Sequence, residues 1–164
     1  MLVILILVAG FQYGFSNPIK DLLSPDKLIR LKVTVSTKIS YEVYYKDSLI
    51  IAPSTIDFIL SDGTSLSSSN GFRKINTYSN RSVIVSPVPE KRINIPDHYN
   101  EMEIIFKLPF ILKFRVYNDG VAYRIATSFK DSVTVRQEIA EFNFPSVHPF
   151  LFSQNFLGLF RMRV

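Results

Sequence analysis

The chain has 164 residues, 47% of them hydrophobic and 20% charged, a balance that suits one globular domain with a sizeable core and excludes wholesale disorder. It contains no cysteine, which removes a disulfide framework, a thiolate metal site, a cysteine nucleophile and lipid attachment through a lipobox thiol. The formal charge is +5, but the 19 lysines and arginines are scattered and no run of basic residues interleaves with aromatics along a strand or helix, which argues against nucleic-acid binding.

The first residues, MLVILILVAGFQYGFSNP, are apolar over too short a span to cross a bilayer, where about 20 residues are needed, so no stable membrane span is expected. Residues 1–16 read as a signal peptide. Leu2 to Phe11 form the h-region, and Gly14 and Ser16 are small residues at the minus-three and minus-one positions of a cleavage before Asn17. No Lys or Arg precedes the apolar run, and the competing reading is a buried first strand covered on both faces. Export, to the periplasm or the cell surface, goes with the signal-peptide reading.

SPDKLIRLKVTVST opens with a Ser-Pro-Asp turn and then alternates Arg30, Lys32 and Thr34 with Leu31, Val33 and Val35, the pattern of a half-buried strand. ISYEVYYKDSLIIAPSTIDFILSDG gives a strand rich in Tyr and Val, a turn over Lys46 to Ser48, a second apolar run, a break at Pro53, a third strand and a Ser61-Asp62-Gly63 turn. TSLSSSNGF reads as an exposed, mobile loop, and the sequon Asn80-Arg81-Ser82 carries no weight. Strands resume with RSVIV at Arg81, and SPVPEKRINIPDHYN forms an irregular connection set by Pro87, Pro89 and Pro96. EMEIIFKL, FILKFRVYN, GVAYRIATSF and SVTVRQEIAEFNF follow as four more strands. The class is all-β, and turn residues every 8 to 12 positions or so point to a sandwich or barrel. The last stretch, FLFSQNFLGLFRMRV, is apolar without alternation, so residues 146–164 read as a divergent or frame-shifted tail, with one final buried strand as the alternative.

Candidate chemistry is sparse. The two histidines, His98 and His148, are in no ligand spacing, and no nucleophile elbow, P-loop or dinucleotide fingerprint occurs, so no catalytic residue and no metal site is assigned. The densest polar cluster is DHYNEME, Asp97 to Glu103, delivered by the Pro-limited loop to the start of a strand. Its His98, Tyr99, Asn100 and Glu101 are candidate sugar contacts, with Tyr99 as the aromatic platform. The competing reading is that Asp and Asn bond nearby backbone while Glu101 and Glu103 point to one sheet face as partners for arginines.

FRVYNDGVAYRI, Phe114 to Ile125, supplies those arginines. A two-residue Asp119-Gly120 loop would set Arg115 opposite Arg124, two guanidinium groups that repel unless acids sit beside them. Glu101 and Glu103, on the preceding strand, would complete a Glu-Arg-Arg ladder of structural ion pairs. A three-residue loop, Asn118-Asp119-Gly120 with a bulge, would instead set Arg115 opposite Tyr123.

The ordered segments SPDKLIRLKVTVSTKISYEVYYKDSLIIAPSTIDFILSDG, IPDHYNEMEIIFK, FRVYNDGVAYRI and EIAEFNFP resemble the amino-terminal domain of glycoside hydrolase family 97, from about Ser24 to Pro145. The most specific parts are His98 to Glu101 and Phe114 to Arg124. The resemblance implies exported α-glucosidases and α-galactosidases of Bacteroidetes-type bacteria, in which residues 24–145 would be a β-sandwich resembling galactose mutarotase, incomplete at its C-terminus. It further implies a catalytic TIM barrel as the partner of this domain and an α-linked oligosaccharide as the substrate of the whole. Calcium is implied for the intact family enzyme, with one glutamate ligand from a position after Pro145, so no metal ligand carries over to this sequence. VIVSPVPEKRINIP also stands where the family has a tryptophan-containing stretch, and this chain has no tryptophan. The expected role is a non-catalytic sandwich that supports the barrel and its substrate cleft. The rivals are an independent carbohydrate-binding or interaction module and a gene product too degenerate to fold.

Overall fold

The computed structural model describes residues 17–18, 21–69, 71–87 and 93–145. The signal-peptide reading of residues 1–16 and the tail reading of 146–164 lie outside the described residues. The class is all-β, as the turn spacing and the resemblance led one to expect: two antiparallel sheets packed as a sandwich.

Period-two alternation builds the first sheet. In β3 (Ile29–Val35) the side chains of Ile29, Leu31, Val33 and Val35 are buried, while Arg30, Lys32 and Thr34 face outward. β4 (Ile39–Tyr45) repeats the pattern with Ile39, Tyr41 and Val43 inward. A two-residue turn at Lys46 and Asp47, with φ of 47° and 64°, leads into β5 (Ser48–Leu60); both residues adopt the left-handed conformation that type I′ hairpins need. The short β1 (Asn17–Pro18) and β2 (Leu22–Leu23) pair with β3, and β10 (Val135–Ala140) pairs with the far edge of β5.

β5 runs through Pro53, where the sequence had suggested a break. Tyr41 pairs with Ser54 and Val43 with Ile51, so two residues of β4 span three of β5, and the extra residue is absorbed as a bulge at Ala52 and Pro53. Asn143 secures this bulge, its backbone N–H bonding Ser54 Oγ at 2.9 Å and its amide bonding the Pro53 carbonyl at 2.8 Å.

The second sheet has the order β6 (Phe72–Val85), β7 (Asn94–Phe106), β8 (Phe110–Tyr117) and β9 (Val121–Thr127). Two expectations are corrected here. β6 starts at Phe72 rather than at Arg81, and β7 starts at Asn94, so residues 94–100 of the supposed irregular connection are strand. Pro96 is tolerated because β8 reaches only as far as Tyr99, leaving no ladder on that side for the missing N–H to break. The serine-rich loop is also anchored: Leu66 is fully buried, its N–H bonds the Phe58 carbonyl at 3.0 Å, and Asp57 accepts from the Ser67 N–H at 3.0 Å.

The core lies between the sheets. Met102, Ile104 and Phe106 of β7 and Phe110, Leu112, Phe114 and Val116 of β8 join Leu31, Val33, Ile39 and Ile56 in one buried cluster. Each such side chain contributes roughly 1.5–3 kcal/mol on burial. Phe110 meets Phe129 edge-on at 5.3 Å and Phe58 at 6.2 Å, while Tyr41 packs on Phe114 at 6.0 Å. With the inner face taken by these residues, the alternate residues of β7 and β8 project outward, and the polar cluster lies among them.

Candidate functional site

Met102, Ile104 and Phe106 point into the core, so Tyr99, Glu101 and Glu103 share the outer face of β7. Register sets Tyr117, Arg115 and Lys113 of β8 directly opposite them. Arg115 Nε donates to Glu101 Oε2 at 2.6 Å, and Lys113 Nζ lies 2.7 Å from Glu103 Oε1, whose other oxygen accepts from the Asn76 amide at 3.0 Å. The Arg115 guanidinium also lies 4.2 Å above the Tyr99 ring, and Tyr99 and Tyr117 pack with ring centroids 5.2 Å apart. Each acid therefore has a cation, and each cation is held in place by a neighbour.

The charges respond accordingly. The bonds from Lys113 and then Asn76 hold the Glu103 carboxyl below its ordinary range, and the same contact with Glu103 raises Lys113. The bond to Glu101 holds the Arg115 guanidinium still more firmly protonated than usual. Burial pushes the Tyr99 phenol up.

The hairpin register differs from both expectations. The Tyr117 N–H donates to the Gly120 carbonyl at 2.8 Å around an Asn118-Asp119 loop, so Arg115 faces Ala122, Phe114 faces Tyr123 and Lys113 faces Arg124. Arg124 is consequently not opposite Arg115 and stands beside a lysine. Burial alone could not have chosen this register, because it differs from the two-residue expectation by a shift of two, which keeps every side chain on its face. The turn decides it: Gly120 does not take the left-handed conformation an Asp-Gly hairpin needs, and the Asn118 side chain accepts from the Asp26 N–H at 3.1 Å, a contact 92 residues away in sequence.

The four candidate sugar contacts lie in mid-strand rather than on a loop, and alternation divides them. Tyr99 and Glu101 are on the outer face; His98 and Asn100 are on the other. Asn100 ties elements together, donating to the Leu23 carbonyl at 2.8 Å and accepting from Ser79 Oγ at 2.7 Å. His98 sits opposite Arg81, beyond the end of β8. One ligand cannot meet all four from a single side.

β6 adds residues the sequence reading missed. Tyr78 and Asn80, opposite Glu101 and Tyr99, complete a shallow concavity of about 380 Å³ with Ser79, Glu103 and Lys113. Their alternation had no visible meaning while residues 73–80 were not recognised as strand. Among the described residues no group of three or more His, Asp or Glu could hold a metal ion, and Glu101 and Glu103 are bonded to cations. These residues, with their carboxylates taken up by Arg115 and Lys113, do not fit a calcium ion. Among the described residues, no helix is long and apolar enough to cross a membrane.

A family model described as Glycosyl-hydrolase 97 N-terminal matches residues 22–158. The chain is 32% identical over 127 residues to a retaining alpha-galactosidase of Bacteroides thetaiotaomicron, a match spanning 76% of this chain and 19% of that protein. Its fold superposes on a Glycoside Hydrolase Family 97 enzyme from Pseudoalteromonas sp. strain K8 in complex with panose, with a TM-score of 0.66 and 20% identity, covering 77% of this chain and 20% of that one. A beta-arabinopyranosidase matches with a TM-score of 0.63 and 22% identity, covering 77% of this chain and 21% of that one. The chain thus spans about a fifth of the length of these relatives.

Proposed function

Because this chain belongs to the glycosyl-hydrolase 97 N-terminal family, we propose that it is the non-catalytic sandwich of a family 97 glycoside hydrolase. Its role is to support a catalytic TIM barrel and help close the cleft in which an α-linked oligosaccharide binds. The observation that carries this reading is coverage: the match takes in most of this chain and only about a fifth of an α-galactosidase. The site chemistry agrees. Glycoside hydrolysis needs two carboxyl groups flanking the scissile bond, roughly 5–10 Å apart. Glu101 and Glu103 project from one face of one strand rather than from opposite sides of a cleft, and each is bonded to a cation.

The test is a graft. The Bacteroides α-galactosidase is produced without the segment that matches this chain, and again with the full 164-residue chain in its place. Recovery of soluble, active enzyme only in the grafted form supports the role; equal behaviour of the two refutes it.

A second reading, an independent carbohydrate-binding module, is favoured by the concavity beside Tyr78, since an exposed aromatic ring next to polar groups suits a pyranose face. Calorimetric titration of the folded chain with maltose and melibiose separates the two, and silent titrations count against it.

A further inference from the structure

β6 and β7 outrun their sheet. The last residue of β8, Tyr117, pairs with Tyr99, yet β7 begins at Asn94 and remains paired with β6 through Val85. Residues 81–85 and 94–98 therefore form a two-stranded ribbon that overhangs the sandwich by roughly 17 Å at about 3.3 Å per residue. Such a ribbon is marginal in water by itself. Its composition is also unusual for a solvated hairpin: residues 82–86 are SVIVS and residues 93–96 are INIP, without a charge.

The apolar side chains occupy both faces. Ile84 pairs with Ile95 on one side, and Val83 pairs with Pro96 on the other. Val83, Ile84, Val85, Ile93 and Ile95 are 59%, 50%, 64%, 57% and 41% exposed. Strands with uninterrupted apolar runs are ones that other structure covers on both faces.

A second feature marks the same end of the molecule. An apolar groove of about 520 Å³ opens between the sheets beside the Asn118–Gly120 turn, lined by Ile29, Val43, Tyr45, Ile50 and Val121. Tyr45 and Ile50 are themselves partly exposed, as are Leu23 and Leu28. Because β8 turns into β9 at this end, ribbon and groove face out from one side of the sandwich. Exposed apolar side chains gathered at one end of a domain in this way mark a protein interface.

We infer that the ribbon and the groove at the same end of the sandwich form the surface on which the catalytic portion of a family 97 chain packs. This rests on the support role proposed above. The occupant follows from that role and from the relatives, in which about four-fifths of the chain lies outside the segment matched here. A two-faced ribbon whose outer stretches, residues 82–86 and 93–96, carry no charge and expose Val83, Ile84, Val85, Ile93 and Ile95 suits the packed interior of a domain interface rather than a sugar or a nucleic acid.

The graft tests it. Val83→Lys and Ile95→Lys, one on each face of the ribbon, are introduced together into the grafted enzyme and into the free full-length chain. The expected result is that the free chain melts nearly as before, while the graft loses its single melting transition and most of its α-galactosidase activity. A variant graft that melts and turns over like the unmodified one overturns the inference and leaves the support role standing. An unmodified graft with two independent transitions and no activity overturns the support role itself, and the inference with it. Hydrogen exchange provides a readout without substitutions: the amides of residues 82–85, 94, 95 and 97 should exchange more slowly in the graft than in the free chain, and equal rates contradict the inference. Sedimentation covers the remaining occupant, because a free-chain dimer abolished by the two lysines would assign the ribbon to a second copy and overturn it.

Discussion

Glu101 and Arg115 face each other across β7 and β8 with Arg115 Nε 2.6 Å from Glu101 Oε2, and the exposure of the two side chains is unequal: 10% for the acid, 44% for the arginine. The acid is the partner that has lost its water. Removing the arginine would strand a nearly buried carboxylate, whereas a surface pair of this length with both partners in water would contribute little.

Arg115→Met should therefore destabilise the chain by roughly 1–2 kcal/mol, discounted for the solvent that reaches the arginine. Arg124→Met should act differently. Arg124 stands opposite Lys113, so its loss relieves a like-charge neighbour and should leave stability unchanged within about 0.5 kcal/mol or raise it slightly. Urea melts of the two variants check the contrast, and equal losses would mean that the register is wrong.

The depressed Glu103 carboxyl predicts acid sensitivity. Its folded value lies below the unfolded one near 4.5, so its contribution is complete above that pH and is lost as pH falls through the folded value. The raised Lys113 works in the opposite sense: its contribution is complete below about 10.5 and is lost as pH rises through the folded value. Glu103→Gln should therefore flatten the fall in stability below pH 4.5, as measured by denaturant melts from pH 7 to 3.

Tyr41 reports on the edge of the first sheet. Its buried hydroxyl donates to the Glu141 carbonyl at 2.8 Å, and burial pushes the phenol well above its ordinary range. Tyr41→Phe should cost about 1 kcal/mol and speed amide exchange in residues 138–143, since it unties the segment following β10. No change in exchange there would show that the bond does not hold that segment.

Asn100→Ala should release β2 from β7. It removes the donor to the Leu23 carbonyl and the acceptor for Ser79, both at exposed positions that water can reach, so the cost should be roughly 0.5–1.5 kcal/mol, the net worth of an ordinary hydrogen bond. Protease sensitivity at residues 21–24 should rise, and unaltered cleavage would remove Asn100 from this role.

Much of the fold could be read from alternation. Leu31, Val33 and Val35 against Arg30, Lys32 and Thr34 already describe β3, and the run from Glu101 to Phe106 describes the inner and outer faces of β7. The ordered segments from Ser24 to Pro145 led to the family that the matching model identifies. Three features were not legible because non-local contacts decide them. Pro53 reads as a break from local sequence, whereas Asn143, 90 residues away, secures it in a bulge. Residues 73–80, with their polar and exposed side chains, are strand because β7 pairs with them. The hairpin register depends on Asn118 meeting Asp26, so the sequence pattern around Asp119-Gly120 pointed to the wrong partner for Arg115.

The first measurement is turnover. The purified, folded full-length chain is incubated with aryl α-galactoside and aryl α-glucoside, and release of the aryl group is followed over a range of protein concentrations. A sandwich whose carboxylates are tied to Arg115 and Lys113 should give no release above the uncatalysed rate. Turnover proportional to chain concentration, and abolished by Glu101→Gln or Glu103→Gln, would contradict a non-catalytic role and place the chemistry in this domain.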